Sequence, residues 1–112
     1  MRSSGDPFLD ALDELEVALE ANLERAELMK QRMEDIRRRR AAGQSYLQIV
    51  PEEQEPLIVH LLTDSAVTLD RVGAQVRRTE ARVLHEAGMT MDQIARIFRV
   101  SRQRISALLR ER

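Results

Sequence analysis

The sequence of 112 residues predicts an all-α protein: a long N-terminal coiled-coil-like helix, a linker, and a C-terminal unit of three helices. Three observations lead there. Aromatic residues make up 3% of the chain and charged residues 33%, a mixture that suits long helices with thin aliphatic seams better than a thick globular core. Apolar residues recur every three then four positions through the first forty residues. Near the end, two helix-start signals lie about ten residues apart, each followed by apolar residues at helical spacing. The divisions expected are residues 1–42, a long amphipathic dimerisation helix; 43–56, a linker; and 57–112, the C-terminal domain.

The first helix is expected from about Asp6 to Ala42. Its seam reads Phe8, Leu12, Leu15, Leu19, Asn22, Ala26, Met29, Met33 and Ile36, with Leu9 and Leu23 widening it. A lone helix would leave that stripe wet, so it must pack on the same helix of a second chain or on the helix that follows in this one. Self-association is the favoured reading, and it makes Leu12, Leu15, Leu19, Asn22, Leu23, Ala26, Met29, Met33 and Ile36 the candidate dimerisation residues. Asn22 is either a polar residue near solvent or a register-setting pair across a dimer. Acidic residues at the start of the helix and Arg37 to Arg40 at its end match the helix dipole, with Gly43 as cap. The arginine run reads as a solvated helix end before it reads as a phosphate contact.

"AGQSYLQIVPEEQEP" breaks the period with one glycine and two prolines and is a linker. Its "QSYLQIV" is open to an extended conformation, although a single short strand would need a partner. From Leu57 an apolar run leads into Leu69, Val72, Val76, Val83 and Ala87 on one face, a helix ending at Gly88, with a break near Asp64 or Ser65 left open. Gly73 costs about 1 kcal/mol relative to Ala in a helix interior, which marks either a close helix crossing or a weak spot.

Thr90-Met91-Asp92-Gln93 is a capping box, so a helix starts there. Ile94, Ala95, Ile97 and Phe98 supply its buried side. Ser101 is a good N-cap for a second helix, in which Ile105 and Leu108 share a face. Two helices crossing steeply over a short turn need a small residue at the crossing, Ala95, and an apolar one in the turn, Val100. With those positions buried, Arg102, Gln103, Ser106, Ala107 and Arg110 face outward and Arg104 lies at the margin. Arginine can bind guanine, and glutamine adenine, through paired hydrogen bonds in the major groove.

At these residues "MDQIARIFRVSRQRISALLRE" resembles the helix-turn-helix of bacterial transcription regulators, and "VSRQRI" is similar to the DNA-reading region 4 of primary sigma factors and to resolvase-like modules. The likeness covers about residues 69–110, and the first 63 residues lie outside it. It implies that residues 90–99 form the supporting helix and 101–110 the recognition helix of a tri-helical unit. That family commonly has glycine where this chain has Arg99, so either some strain or a slightly different path of the turn is expected. No counterpart of the other sigma-factor regions is present, which argues against a sigma factor.

The function expected is a sequence-specific DNA-binding transcriptional regulator acting as a homodimer. Arg102, Gln103, Ser106 and Arg110 would approach base edges or nearby phosphates. Arg96, Arg99 and Arg104, with backbone N–H groups at the helix starts such as that capped by Ser101, would hold phosphates. The rival reading is a protein-interaction adaptor whose terminal module docks an acidic partner such as the transcription machinery. Net charge is -1, yet residues 1–35 hold ten Asp/Glu against four Lys/Arg while residues 64–112 hold six against ten. The basic part therefore suits an acidic partner, double-stranded DNA first.

Other chemistry has little basis. With no cysteine, disulfides, thiol catalysis and thiolate metal sites are excluded. His60 in its apolar run reads as a packed residue. His85-Glu86 is half of a zinc-protease motif, but position 89 is Met. The four glycines form no phosphate loop. No enzyme activity, catalytic residue, metal or cofactor is expected. There is no signal-peptide pattern and no apolar run near the roughly 18 residues of a membrane span, so the expected location is the cytoplasm, associated with the nucleoid.

Overall fold

The computed structural model describes residues 5–111, all-α and without a strand among them. Five helices follow one another: α1 (Pro7–Ala41), α2 (Tyr46–Ile49), α3 (Ile58–Glu86), α4 (Met91–Phe98) and α5 (Arg102–Arg110), with a 3-10 turn at Val50–Glu52 after α2. None is long and apolar enough to cross a membrane. The chain divides into two compact units, residues 17–69 and residues 1–16 with 70–112.

Local chemistry sets the boundaries. The Asp6 carboxylate accepts from the N–H groups of Phe8 (2.9 Å) and Leu9 (3.2 Å), and Pro7 takes the first helical position, where no amide donor is needed. α1 ends at Gly43, whose positive φ lets the Gln44 N–H reach back to the Arg39 carbonyl. The four arginines before it are used locally. Arg37 and Arg38 pair with Glu34 and Asp35, Arg39 reaches Gln44 and Glu52, and Arg40 donates to the Gln44 carbonyl and lies over the Tyr46 ring.

In the middle of the chain three possibilities left open are decided, and the packed reading of His60 is corrected. "QSYLQIV" is not extended: Ser45 and Gln48 form a capping box and turn it into α2, burying Ile49. α3 is not broken at Asp64 or Ser65, which are interior residues of one helix. Gly73 marks no close crossing, because a Cβ there would meet only the flexible end of Arg77 at 3.4 Å. His60 is exposed on α3 and is not packed.

Within residues 17–69, α1 and the start of α3 run antiparallel. The Asn22 amide donates to the Ser65 carbonyl at 3.4 Å, while ten residues further along α1 the Arg32 side chain meets the segment just before α3. Arg32 is buried, and its guanidinium donates to three consecutive carbonyls, those of Gln54 (2.9 Å), Glu55 (3.1 Å) and Pro56 (3.2 Å). A planar fork of donors suits such an array of acceptors, and it ties the reversing chain to the helix it left. Asn22 is half-buried and engaged inside the protomer, donating to the Ser65 carbonyl and accepting from Arg25.

The nine-residue seam divides. Leu15, Asn22, Met29 and Ile36 are half-buried, whereas Leu12, Leu19, Leu23, Ala26 and Met33 are exposed. The inward row of α1 instead alternates them with Ala11, Ala18, Arg25 and Arg32. Two arginines with long aliphatic stems sit where the periodicity was expected to place Ala26 and Met33.

In the other unit α3, from Asp70 onward, packs with α4 and α5. Ala81, Ile94, Ala95, Ile105 and Leu108 form the closed centre, with Leu84, Met89, Met91, Phe98 and Leu109 around them. Burying a side chain of this size contributes about 1.5–3 kcal/mol. Replacing Arg32 with Met is expected to lower stability by roughly 2–3 kcal/mol, because three carbonyls lose charged donors. Arg32→Lys should recover only part of this, since one ammonium lacks the planar fork. Urea denaturation followed by circular dichroism checks both, and a loss below half a kcal/mol for Arg32→Met would remove the clamp from the account.

Candidate nucleic-acid interface

α4 and α5 are positioned by their caps and by what they bury. Thr90 accepts from the Gln93 N–H (3.1 Å) and the Gln93 side chain accepts from the Thr90 N–H (2.9 Å), which completes the box read from the sequence. Ser101 accepts from the Arg104 N–H at 3.1 Å and starts α5. Ile105 and Leu108 are fully buried against Ile94 and Ala81. At 100° per residue, Gln103, Ser106 and Arg110 fall on the opposite side of α5, with Arg102 at one edge and Arg104 at the other.

Burial agrees with that wheel except at Ser106 and Ala107, which are half-buried. Arg96, Arg99, Ser101, Arg102, Gln103, Arg104 and Arg110 are exposed, and Ser106 is half-buried. Arg110 donates to the Ser106 hydroxyl at 2.9 Å, so these two form one polar unit. Arg102 lies 3.9 Å from Asp92 at the start of α4, with both side chains largely in solvent. Exposed pairs of this kind contribute about 0–1 kcal/mol, so Arg102 is readily drawn to another anion. Arg104 turns the other way, 3.9 Å from Glu111. The outer side of α5 is therefore Gln103 and Arg110 with the half-buried Ser106, flanked by Arg102, while Arg96 on α4 and Arg99 in the turn are exposed as well.

Two residues expected in the core are not there. Ile97 is 57% exposed and Val100 39% exposed, so the turn is closed by backbone and by Phe98, which is half-buried, more than by the valine. The buried side of α4 is centred between Ile94, Ala95 and Phe98, and Ile97 lies about 100° round the helix from it.

The turn itself holds some strain. Arg99 is left-handed (φ 58°, ψ 44°), the one positive-φ residue other than glycine among those described, and the Val100 N–H closes onto the Ala95 carbonyl at 3.1 Å. The ends of α1 and α3 use the same reach-back with Gly43 and Gly88 at the left-handed position. The third instance is an arginine, where a side chain costs roughly 1 kcal/mol.

The sequence reading missed the group that anchors the end of α5. The Glu111 carboxylate meets Arg78 at 3.2 Å, and its carbonyl accepts from Arg82, so α3 grips the last turn from one side. Arg78 and Arg82 are four residues apart and share a helical face, but only the packing of α5 reveals which acid they meet. No family model matches the chain, and no curated protein or solved structure is significantly similar to it.

Replacing Arg99 with Gly should raise stability by about 1 kcal/mol by removing the left-handed penalty. Thermal unfolding of the full chain measures it, and a lower melting temperature would show that the Arg99 side chain contributes packing that its exposure does not suggest.

Proposed function

We propose that this chain is a DNA-binding transcriptional regulator that acts as a homodimer and places α5 in the major groove. The observation that carries the reading is the division of α5 into two faces. Ile105 and Leu108 are wholly buried, while Gln103 and Arg110, with Arg102 beside them, are exposed and Ser106 is half-buried. Polar side chains of that kind along one exposed side of a helix suit base edges and phosphates of the major groove.

Arg99 supports it further. A strained conformation is kept where two equivalent helix ends use glycine, so the guanidinium at that place is expected to have a use. Exposed just before α5, and with Arg96, it is suited to backbone phosphates. Arg104 is the weakest member of the set, because it leans toward Glu111, and it serves phosphate better than base.

A module this small buries little DNA surface, so two modules on half-sites roughly 34 Å apart would supply affinity and register. The acidic first helix then has to stay beyond about 8 Å from the duplex, one Debye length at physiological salt.

One feature favours a second reading. Ile97 and Val100 are exposed apolar side chains next to the arginines, a mixture suited to a protein surface with acidic residues, such as part of the transcription machinery. Selection from mixed genomic DNA at physiological salt separates the two readings. A regulator enriches preferred, two-fold symmetric sites, whereas an adaptor gives weak, sequence-blind binding that salt abolishes.

On an enriched site, Arg102→Ala should cost about 1–3 kcal/mol and relax one position of the site, while Arg96→Ala should weaken all sequences alike and reduce the salt slope by about 1. Filter binding across a salt series checks both. Equal losses on every sequence for Arg102→Ala would move that residue from the bases to the backbone.

A further inference from the structure

Residues 17–69 carry an apolar surface that their own packing does not use. The inward row of α1 in this unit is Ala18, Asn22, Arg25, Met29 and Arg32. One position after its members come Leu19, Leu23, Ala26 and Met33, all exposed, with Leu23 at 71%. α3 repeats the arrangement. Ile58, Leu61, Ser65 and Thr68 are turned inward, and one position after each come Val59, Leu62, Ala66 and Leu69, exposed, with Val59 at 60%.

A step of one residue is a rotation of about 100° in the same helical sense on both helices. Since the two run antiparallel, equal rotations from the shared contact bring both exposed rows to the same side of the pair. The pairing of Asn22 with Ser65 sets their register: Leu19 lies level with Leu69, Leu23 with Ala66, and Ala26 with Leu62. Each row keeps the three-four spacing of a helix that packs on another helix. A two-helix face of this kind is a half-bundle, and monomeric proteins seldom leave one in water.

Charge identifies what covers it. The α1 row continues through Lys30 and Arg37, one position after Met29 and Ile36, so its C-terminal half is cationic. Glu20, Glu24, Glu27 and Glu34 flank the row on its outer edge, one position after Leu19, Leu23, Ala26 and Met33, and the first three lie in its N-terminal half. Among the described residues, Lys30, Glu20 and Glu27 have no ion-pair partner, and Arg37 has only an exposed contact with Glu34 at 3.9 Å. A second copy laid antiparallel along α1, with its two-fold near Ala26, brings Lys30 and Arg37 of each chain to the acidic flank of the other. A parallel copy sets lysine against lysine and glutamate against glutamate. Ala26 lies midway between Leu19 and Met33, and its small side chain lets the helices approach at the axis.

We propose that these two exposed rows are the docking face for a second copy of this chain, joined antiparallel through α1 and α3 as a four-helix bundle. It deepens the dimer in the function proposed above and replaces the single-helix seam by a face to which α3 contributes half. DNA binding has no part in its test.

The full chain, free of DNA, is weighed by sedimentation equilibrium at micromolar concentration. The parent chain should have twice the chain mass, and Leu23→Glu and Leu62→Glu should each have one, with helicity by circular dichroism unchanged. Val67→Glu, equally exposed but about 100° further round α3, should remain dimeric. The chain has no cysteine, so a single introduced thiol reports the axis. Ala26→Cys should close a disulfide between copies under mild oxidation and Met33→Cys should not, because its two copies lie far apart in the antiparallel arrangement. A monomeric parent chain overturns the proposal, as does a dimer that survives Leu62→Glu, a dimer lost with Val67→Glu, a dimeric Ala26→Cys that fails to cross-link, or equal cross-linking at Met33. A monomer that still selects DNA sites would remove this interface and leave the DNA reading standing.

Discussion

The complete burial of Ile105 and Leu108 against Ile94 and Ala81 decides the rotation of α5 about its axis. A nine-residue helix cannot hold a fixed orientation by itself, since isolated helices of that length are marginal in water. Two branched side chains sealed into a small core remove that freedom, and the Ser101 cap and the Glu111 grip fix the two ends. The polar outer side follows from this constraint. Gln103 and Arg110 are outward because residues two positions away are inward, and nothing in those polar side chains themselves determines where they point.

In residues 17–69 the corresponding constraint is polar. Arg32 is buried and donates to three successive carbonyls, those of residues 54–56, and a buried guanidinium without acceptors would be costly. Giving the guanidinium those acceptors requires α1 to turn Arg32 inward, and that choice rotates the helix away from the seam its apolar residues alone would select. Arg25 follows on the same row, where it donates to Asn22. The leucines displaced from the interior become an outer face. Polar satisfaction inside the pair and apolar exposure outside it are two consequences of one rotation.

The three helix ends at Gly43, Gly88 and Arg99 make a small internal comparison. All use a left-handed residue to aim a later N–H back at a helix carbonyl, and the backbone geometry is shared. Local propensity and global fold agree at the first two and conflict at the third. Conflicts of this kind gather where a side chain is needed for something besides folding. Arg99 is exposed in the turn just before α5, and under the proposed function its guanidinium is free to meet a phosphate.

Much was legible in the sequence because it is local. Caps at Thr90, Gln93 and Ser101, the stop at Gly43, the helical period of α1 and α3, and the pairing of Ile105 with Leu108 all depend on residues within a few positions of each other. The outward set on α5 was legible for the same reason, a short helix with two unambiguous anchors. What only the tertiary structure decided is non-local. Periodicity offered a nine-residue seam with one orientation, but the acceptors of residues 54–56 drew Arg32 inward and split that seam between two faces. Ile97 and Val100 look like core in the pattern, yet both are exposed. Glu111 becomes an anchor only because α5 ends beside Arg78 and Arg82. A pattern along one chain records which residues can be buried together, whereas the partner that buries them is set by segments distant in sequence.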